Sequence, residues 1–172
     1  EEARCQSPES MMAALALIGR DNSRTPMQWD ASRYAGFTAA DAATEPWIGV
    51  NPNHVEINAA EEFDDPDSVY GFYKKLIAMR HDSATVATGE WDLVAADSEQ
   101  VYAFTRTSGD DTILVVVNLT DESAGLPGEV AELLGDGVAE SQILLSTYDV
   151  AHGVKSIARG ELARWEGVVI QL

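Results

Sequence analysis

Between Gly19 and Asp30 the chain reads Gly-Arg-Asp-Asn-Ser-Arg-Thr-Pro-Met-Gln-Trp-Asp. Arg20, Asp21, Arg24, Trp29 and Asp30 follow no helical or strand period here, so the stretch is predicted as a loop. A planar guanidinium donates to two hydroxyls or to a carboxylate at once, and an indole offers a flat apolar face. Such a mixture suits a neutral, hydroxyl-rich ligand. Plainer roles exist for each residue. Arg20 could form an ion pair with Asp21 or another loop acid, and Arg24, beside Thr25-Pro26, reads as an arginine that fixes the loop. Trp29 could stack on a sugar ring or serve as a buried anchor, and Trp47 is similar.

The elements that hold this loop lie on either side of it. Upstream, Ser10 to Ile18 is rich in Ala, Met and Leu, with Ser7 and Pro8 as a start signal and Gly19 as a C-terminal stop. Residues 20 to 53 show no period, yet Trp29, Tyr34, Phe37, Trp47 and Ile48 supply apolar surface that predicts an ordered loop packed on something large. A short helix is expected within His54 to Phe63. A clearer one follows, with Asp65 as cap, Pro66 at the first helical position and Asp67 at the positive end. Val69, Phe72, Tyr73, Leu76, Ile77 and Arg80 predict its buried face, and Lys74 and Lys75 its exposed one.

After about Asp82 the chain changes to short β-branched or alternating runs. Strands are expected at Glu90 to Ala95, Gln100 to Thr107, Thr112 to Leu119, Gln142 to Ser146 and Gly167 to Leu172. Ser108-Gly109-Asp110-Asp111 reads as a hairpin turn, and Ile113 to Val117, apolar on both faces, as a central strand. These strands predict an antiparallel sandwich of roughly 90 residues. Residues 1 to 81, by contrast, have helices and a long aromatic loop but no strands of their own. That imbalance predicts a missing partner, either another chain or further sequence. The start at Glu-Glu-Ala rather than Met fits a processed or excised piece.

Composition narrows the function classes. The 29 acidic and 11 basic residues give a formal charge of −18, unsuited to nucleic acid or an anionic membrane, since phosphate binding needs clustered Lys and Arg. A neutral sugar is compatible with it, as is plain solubility. Cys5 is the only cysteine, so neither a disulfide framework nor a thiolate metal site is expected, and a reducing cytoplasm is the default compartment. No run approaches the roughly 18 apolar residues that span a bilayer. His54, His81 and His152 lack metal-site spacing, and Glu61-Glu62-Phe63-Asp64-Asp65 lacks the alternating oxygens and central glycine of a calcium loop. No cofactor or metal is implied.

Several of these motifs together resemble one family. Arg20-Asp21-Asn22-Ser23-Arg24-Thr25-Pro26-Met27-Gln28-Trp29-Asp30 is similar to the late barrel loop of the α-glucosidase and oligo-1,6-glucosidase group of glycoside hydrolase family 13. Ala35-Gly36-Phe37, Glu45-Pro46-Trp47-Ile48, Val50-Asn51-Pro52-Asn53, the helix from Ser68 to Arg80 and Val116-Val117-Asn118-Leu119-Thr120 follow in the same order. The family fold is a (β/α)₈ barrel with a C-terminal β-sandwich. The resemblance therefore implies an α+β fragment. Residues 1–81 would be the C-terminal end of the catalytic barrel, namely the long loop after the eighth strand and the closing helix. Residues 82–172 would be the sandwich.

The family cleaves α-glucosidic bonds with retention, which requires a nucleophilic carboxylate and an acid–base carboxyl about 5–5.5 Å apart. Those residues come from earlier barrel strands whose motifs are not in this sequence, and Asp21 and Asp30 do not match them. No catalytic residue is assigned, and the isolated chain is expected to be inactive. Arg20 matches the arginine that reaches glucose in the cleavage subsite, which makes it the leading substrate-binding candidate ahead of Arg24 and Trp29. The implied partners are α-linked glucose oligosaccharides and the remaining barrel. Two alternatives share the motifs: a non-catalytic carbohydrate-binding module using Trp91 or Trp165, and a fragment of a transglycosylase or sucrose isomerase.

Overall fold

The Ala-, Met- and Leu-rich run forms helix α1, Pro8–Ile18, in a computed structural model that describes residues 7–172, with only the backbone at Leu17, Ile18 and Asn22. Cys5 and the Glu-Glu-Ala start lie outside the described residues. The Ser7 hydroxyl caps α1, accepting from Ser10 N–H at 3.2 Å. Gly19 ends it at φ −67°, outside the left-handed region a terminal glycine often adopts. Space is what requires glycine, because a Cβ there would collide with the Leu15 carbonyl oxygen.

The chain divides into compact units Glu1–Lys74 and Lys75–Leu172. In the first, α1 is followed by a 3₁₀ turn at Arg20–Ser23, the long loop, a second 3₁₀ turn at Pro52–Val55 and helix α2, Ala59–Phe63. Asn58 is buried and caps α2. Its side-chain oxygen accepts from Glu61 N–H at 3.1 Å, and its amide donates to the His54 carbonyl at 2.9 Å.

Helix α3, Val69–Asp82, starts three residues later than the Asp65-Pro66 signal predicts. The Asp65 carboxylate accepts from Asp67 N–H at 2.9 Å, which closes a local turn instead of capping the helix. Ser68 Oγ takes the cap, accepting from Gly71 N–H at 3.0 Å, while the Glu62 carboxylate accepts from Tyr70 N–H at 3.2 Å. The face predicted to be buried is largely open: Val69 is 67% exposed and Tyr73 61%. Among the described residues of the first unit there is no strand to receive it. Gly71 is the buried residue of this helix, and a Cβ on it would meet the Pro66 and Asp65 carbonyl oxygens at 2.6 and 2.8 Å.

The second unit continues with α4, Ala84–Thr88, and strands β1, Glu90–Val94, β2, Val101–Ser108, and β3, Asp111–Asn118. Then come β4, Ala124–Gly125, α5, Gly128–Leu134, β5, Ile143–Ser146, α6, Val150–Arg159, β6, Glu161–Leu162, and β7, Gly167–Gln171. One antiparallel sheet has the order β1-β2-β3-β7-β5, and β4 pairs with β6 in a short ribbon. The five expected strands are the five strands of the large sheet. Ile113 to Val117 lies in its central strand, and Gly109, at φ +61°, supplies the left-handed residue of the β2–β3 hairpin.

The second layer is built differently from a second large sheet. One continuous core joins Val101, Ala103, Leu114, Val116, Val168 and Ile170 of the sheet to Ala124 and Leu162 of the ribbon, Val130 and Leu134 of α5, and Ile157 of α6. Helices α5 and α6 are absent from the sequence-based expectation. Buried Asn118 ties β3 to the turns beside it. Its amide donates to the Glu122 and Ala163 carbonyls at 2.7 and 2.8 Å, and its oxygen accepts from Thr120 N–H and Oγ at 3.0 and 2.8 Å.

Candidate functional site

Hydrogen bonds, more than apolar burial, hold the arginine- and tryptophan-bearing loop. The Ser23 hydroxyl donates to the Arg20 carbonyl at 2.9 Å and Arg24 N–H to the Asp21 carbonyl at 3.0 Å. Farther along, Ala59 and Ala60 N–H donate to the Gln28 and Trp29 carbonyls at 2.9 and 3.0 Å, and the Gln28 amide donates to the Ile57 carbonyl. These bonds fasten residues 28–29 to the start of α2. The fastened backbone then turns back at Ala35 and Gly36, with φ +53° and +66°. The Ala35 carbonyl accepts from Trp29 N–H at 2.8 Å. Asp30 closes this turn by accepting from Ser32 N–H at 2.8 Å. The Ser32 hydroxyl, then its backbone N–H, hold the Asp30 carboxyl below the usual aspartate range, with a smaller contribution from His54.

Arg24 is engaged twice. Its guanidinium pairs with Asp21 at 3.0 Å and lies over the Trp47 ring, 5.6 Å from the centroid. Asp21 is thus paired with Arg24 rather than with Arg20. Arg20 stands exposed at the head of the 3₁₀ turn. Trp29 is 54% exposed and Trp47 82%; the loop's buried anchors are Pro26, Tyr34 and Ala35. A second clasp has no signature in the sequence. Arg33 pairs with Glu45 at 2.9 Å and covers the Tyr34 ring at 4.7 Å, while the Tyr34 hydroxyl donates to Glu45 at 3.4 Å. Arg33 and Glu45 are twelve residues apart, a separation that no local periodicity encodes.

Two grooves flank the loop within the first unit. The larger, about 530 Å³, has Thr25 to Gln28 on one side and Ile57, Asn58, Val69, Tyr70 and Tyr73 on the other. The smaller, about 210 Å³, brings Arg24 together with Phe37, Pro46 and Trp47. Neither is lined by Arg20 or Trp29, so the structure gathers Arg24 and Trp47 but leaves the other two candidates on open surface. This arrangement offers guanidinium donors and aromatic faces along one ordered loop. Among the described residues no three His, Cys, Asp or Glu side chains gather where a metal could bind, and no helix is long and apolar enough to cross a membrane.

A helical segment ending in an antiparallel sheet domain, preceded by a braced polar loop, has counterparts among carbohydrate-active enzymes. Residues 1–89 match the family model of the α-amylase catalytic domain, and residues 92–140 that of the maltogenic amylase C-terminal domain. The chain belongs to the α-amylase family, glycoside hydrolase family 13. It is similar to the oligo-1,6-glucosidase of Bacillus cereus, with 37% identity over 98% of this chain, and to that of Parageobacillus thermoglucosidasius, with 37% identity over 97%. It spans 28% of the length of each. The crystal structure of the trehalulose synthase MutB from Pseudomonas mesoacidophila MX-45 is also similar: 37% identity, a TM-score of 0.76, 95% of this chain and 28% of that one.

Proposed function

We propose that this chain is part of an α-glucosidase that hydrolyses α-glucosidic bonds of small oligosaccharides with retention, acting in the cytoplasm. The observation that carries the proposal is similarity to oligo-1,6-glucosidases over 98% of the chain, across both units. Residues 1–81 act as the C-terminal end of the catalytic barrel and residues 82–172 as the bracing domain. Arg20 reaches glucose in the cleavage subsite, in keeping with its exposure and with the diversion of Asp21 to Arg24. Arg24 and Trp47 brace the wall from which Arg20 projects, and Trp29 is the secondary sugar contact. The carboxylates of the reaction lie in the rest of the enzyme. The isolated chain is therefore inert toward an aryl α-glucoside, and turnover above background by the pure chain would overturn the assignment.

A second reading has specific support, because the trehalulose synthase is as similar to this chain as the glucosidases are. In it the parent enzyme rearranges sucrose. Products from sucrose distinguish the two: glucose and fructose for hydrolysis, an isomeric disaccharide for rearrangement.

A further inference from the structure

Two of the three buried side-chain atoms that lack a hydrogen-bond partner among the described residues belong to one neighbouring pair, Nε2 of His152 and Oε1 of Glu166. Glu166 ends the turn from Ala163 that leads into β7, and its side chain is fully buried. Its Oε2 accepts from the Ser156 hydroxyl at 2.8 Å and from Ala163 N–H at 2.7 Å. Its backbone carbonyl accepts from Asn118 N–H at 2.8 Å, which fixes the residue to the end of β3 as well. His152 and Ser156 are both on α6, one helical turn apart, and so share a face. That face brings a hydroxyl and an imidazole to one carboxylate, with His152 Nε2 3.7 Å from Glu166 Oε2. The separation is too long for a hydrogen bond, yet short enough for strong charge attraction where water is excluded.

We propose that His152 and Glu166 hold one proton between them in the folded chain, and that this proton latches α6 to the turn before β7. A buried carboxylate served by two neutral donors and no cation is strongly disfavoured. Among the described residues His152 is the one group of opposite charge within ion-pair distance of Glu166. The other charged side chains on the elements packed around the pair are exposed: Asp149, Lys155 and Arg159 of α6 and its cap, Glu161 of β6, Arg164 of the turn, Glu140 before β5, and Asp121 and Glu122 after β3. The positive end of α6 disfavours an imidazolium at His152, but the Asp149 carboxylate, accepting from His152 N–H at 2.7 Å, offsets it. Tyr148 adds a second attraction. Its ring stacks on the imidazole with centroids 4.6 Å apart, and its hydroxyl, donating to the Arg164 carbonyl at 3.0 Å, holds it there. An aromatic face favours a cation above it, as does the chain's net charge of −18. An unfolded chain releases the histidine proton around the ordinary imidazole value of about 6.5. Above that pH a fold that keeps the proton binds one more than the unfolded chain, so the latch is complete at about pH 6 and its contribution is lost as pH rises. Once the proton has gone to solvent, Glu166 is a bare carboxylate with an empty oxygen, and the Ser156 hydroxyl is the remaining polar tie from α6.

The test is urea unfolding of the 172-residue chain at about pH 6 and about pH 8, for the unchanged chain, His152→Gln and Glu166→Gln. Dividing the unfolding constant of the unchanged chain by that of His152→Gln cancels the contribution of every other titrating group. The expected result is that this ratio rises about tenfold from the lower pH to the higher one. The ratio taken against Glu166→Gln should rise alike. A ratio against His152→Gln that stays constant within about twofold would overturn the proposal. So would a pH dependence that survives in His152→Gln and vanishes in Glu166→Gln, since the proton would then belong to the carboxylate alone. If Glu166→Gln does not fold, the imidazole proton resonances of the unchanged chain decide instead. His152 must titrate within the interval over which stability is lost, and a ring that titrates outside it would equally overturn the proposal.

Discussion

Replacing Asn118 by Ala should cost the second unit more than any surface change. The side chain is fully buried and makes four hydrogen bonds, two donated to the Glu122 and Ala163 carbonyls and two accepted from Thr120. At about 1 kcal/mol net per bond, with an added cost for carbonyls left dry, the loss is roughly 3–5 kcal/mol. Domains of this size are stable by about 5–15 kcal/mol, so the variant folds marginally, with Tm lowered by roughly 12–25 °C. Urea unfolding of the 172-residue chain followed by near-ultraviolet circular dichroism measures it. Asn118→Asp sharpens the test, because a carboxylate would face the two carbonyls the amide now serves. It should cost at least as much as Ala at pH 7. Its folded pKa must then lie above the unfolded one, so the destabilisation is relieved as pH falls through that raised value and protonation restores one donor. A loss below about 1 kcal/mol for Asn118→Ala would refute the reasoning.

Gly71→Ala raises helix propensity by about 1 kcal/mol, yet it should destabilise α3 by about 1–2 kcal/mol, because the added Cβ meets two fixed carbonyl oxygens; hydrogen exchange of the α3 amides reads this. Arg24→Ala should change stability by less than about 1 kcal/mol, since its ion pair is exposed, while altering Trp47 fluorescence. The Asp30 carboxyl should titrate below the ordinary 3.8. Because its folded pKa is depressed, its contribution to loop order is present above the unfolded value and lost as pH falls through the folded one. Ser32→Ala should move that titration back upward, as carboxyl chemical shifts would record.

The strands are more legible in the sequence than the helices that cover them. Ile113 to Val117 announced a central strand because five consecutive apolar residues need cover on both faces, and Gly109 marked the hairpin. Helix α6 was less visible. Val150, Val154 and Ile157 have helical spacing and Asp149 caps the start, but His152, Gly153 and Ser156 interrupt the run with weak helix formers. Helix α5 begins at a glycine and is seven residues long, too short for a period to register. On α3 the apolar residues have the spacing of one face, but periodicity cannot say whether a covering surface is present, and Val69, Tyr73 and Ile77 stand open. At the loop, residue types identified Arg20, Arg24 and Trp29 as candidates. The pairing of Arg24 with both Asp21 and Trp47, and of Arg33 with Glu45, depends on how residues 20–53 fold back, which no local spacing specifies.

The central claim, that this chain supplies the Arg20 wall of an α-glucosidase site, is tested most directly by kinetics. The chain would replace the matching quarter of an oligo-1,6-glucosidase, and kcat/KM would be measured on an aryl α-glucoside with and without Arg20→Ala. The account predicts an active joined enzyme that loses roughly 100-fold or more in kcat/KM, with Tm unchanged. An Arg20→Ala enzyme within about threefold of the parent would contradict it.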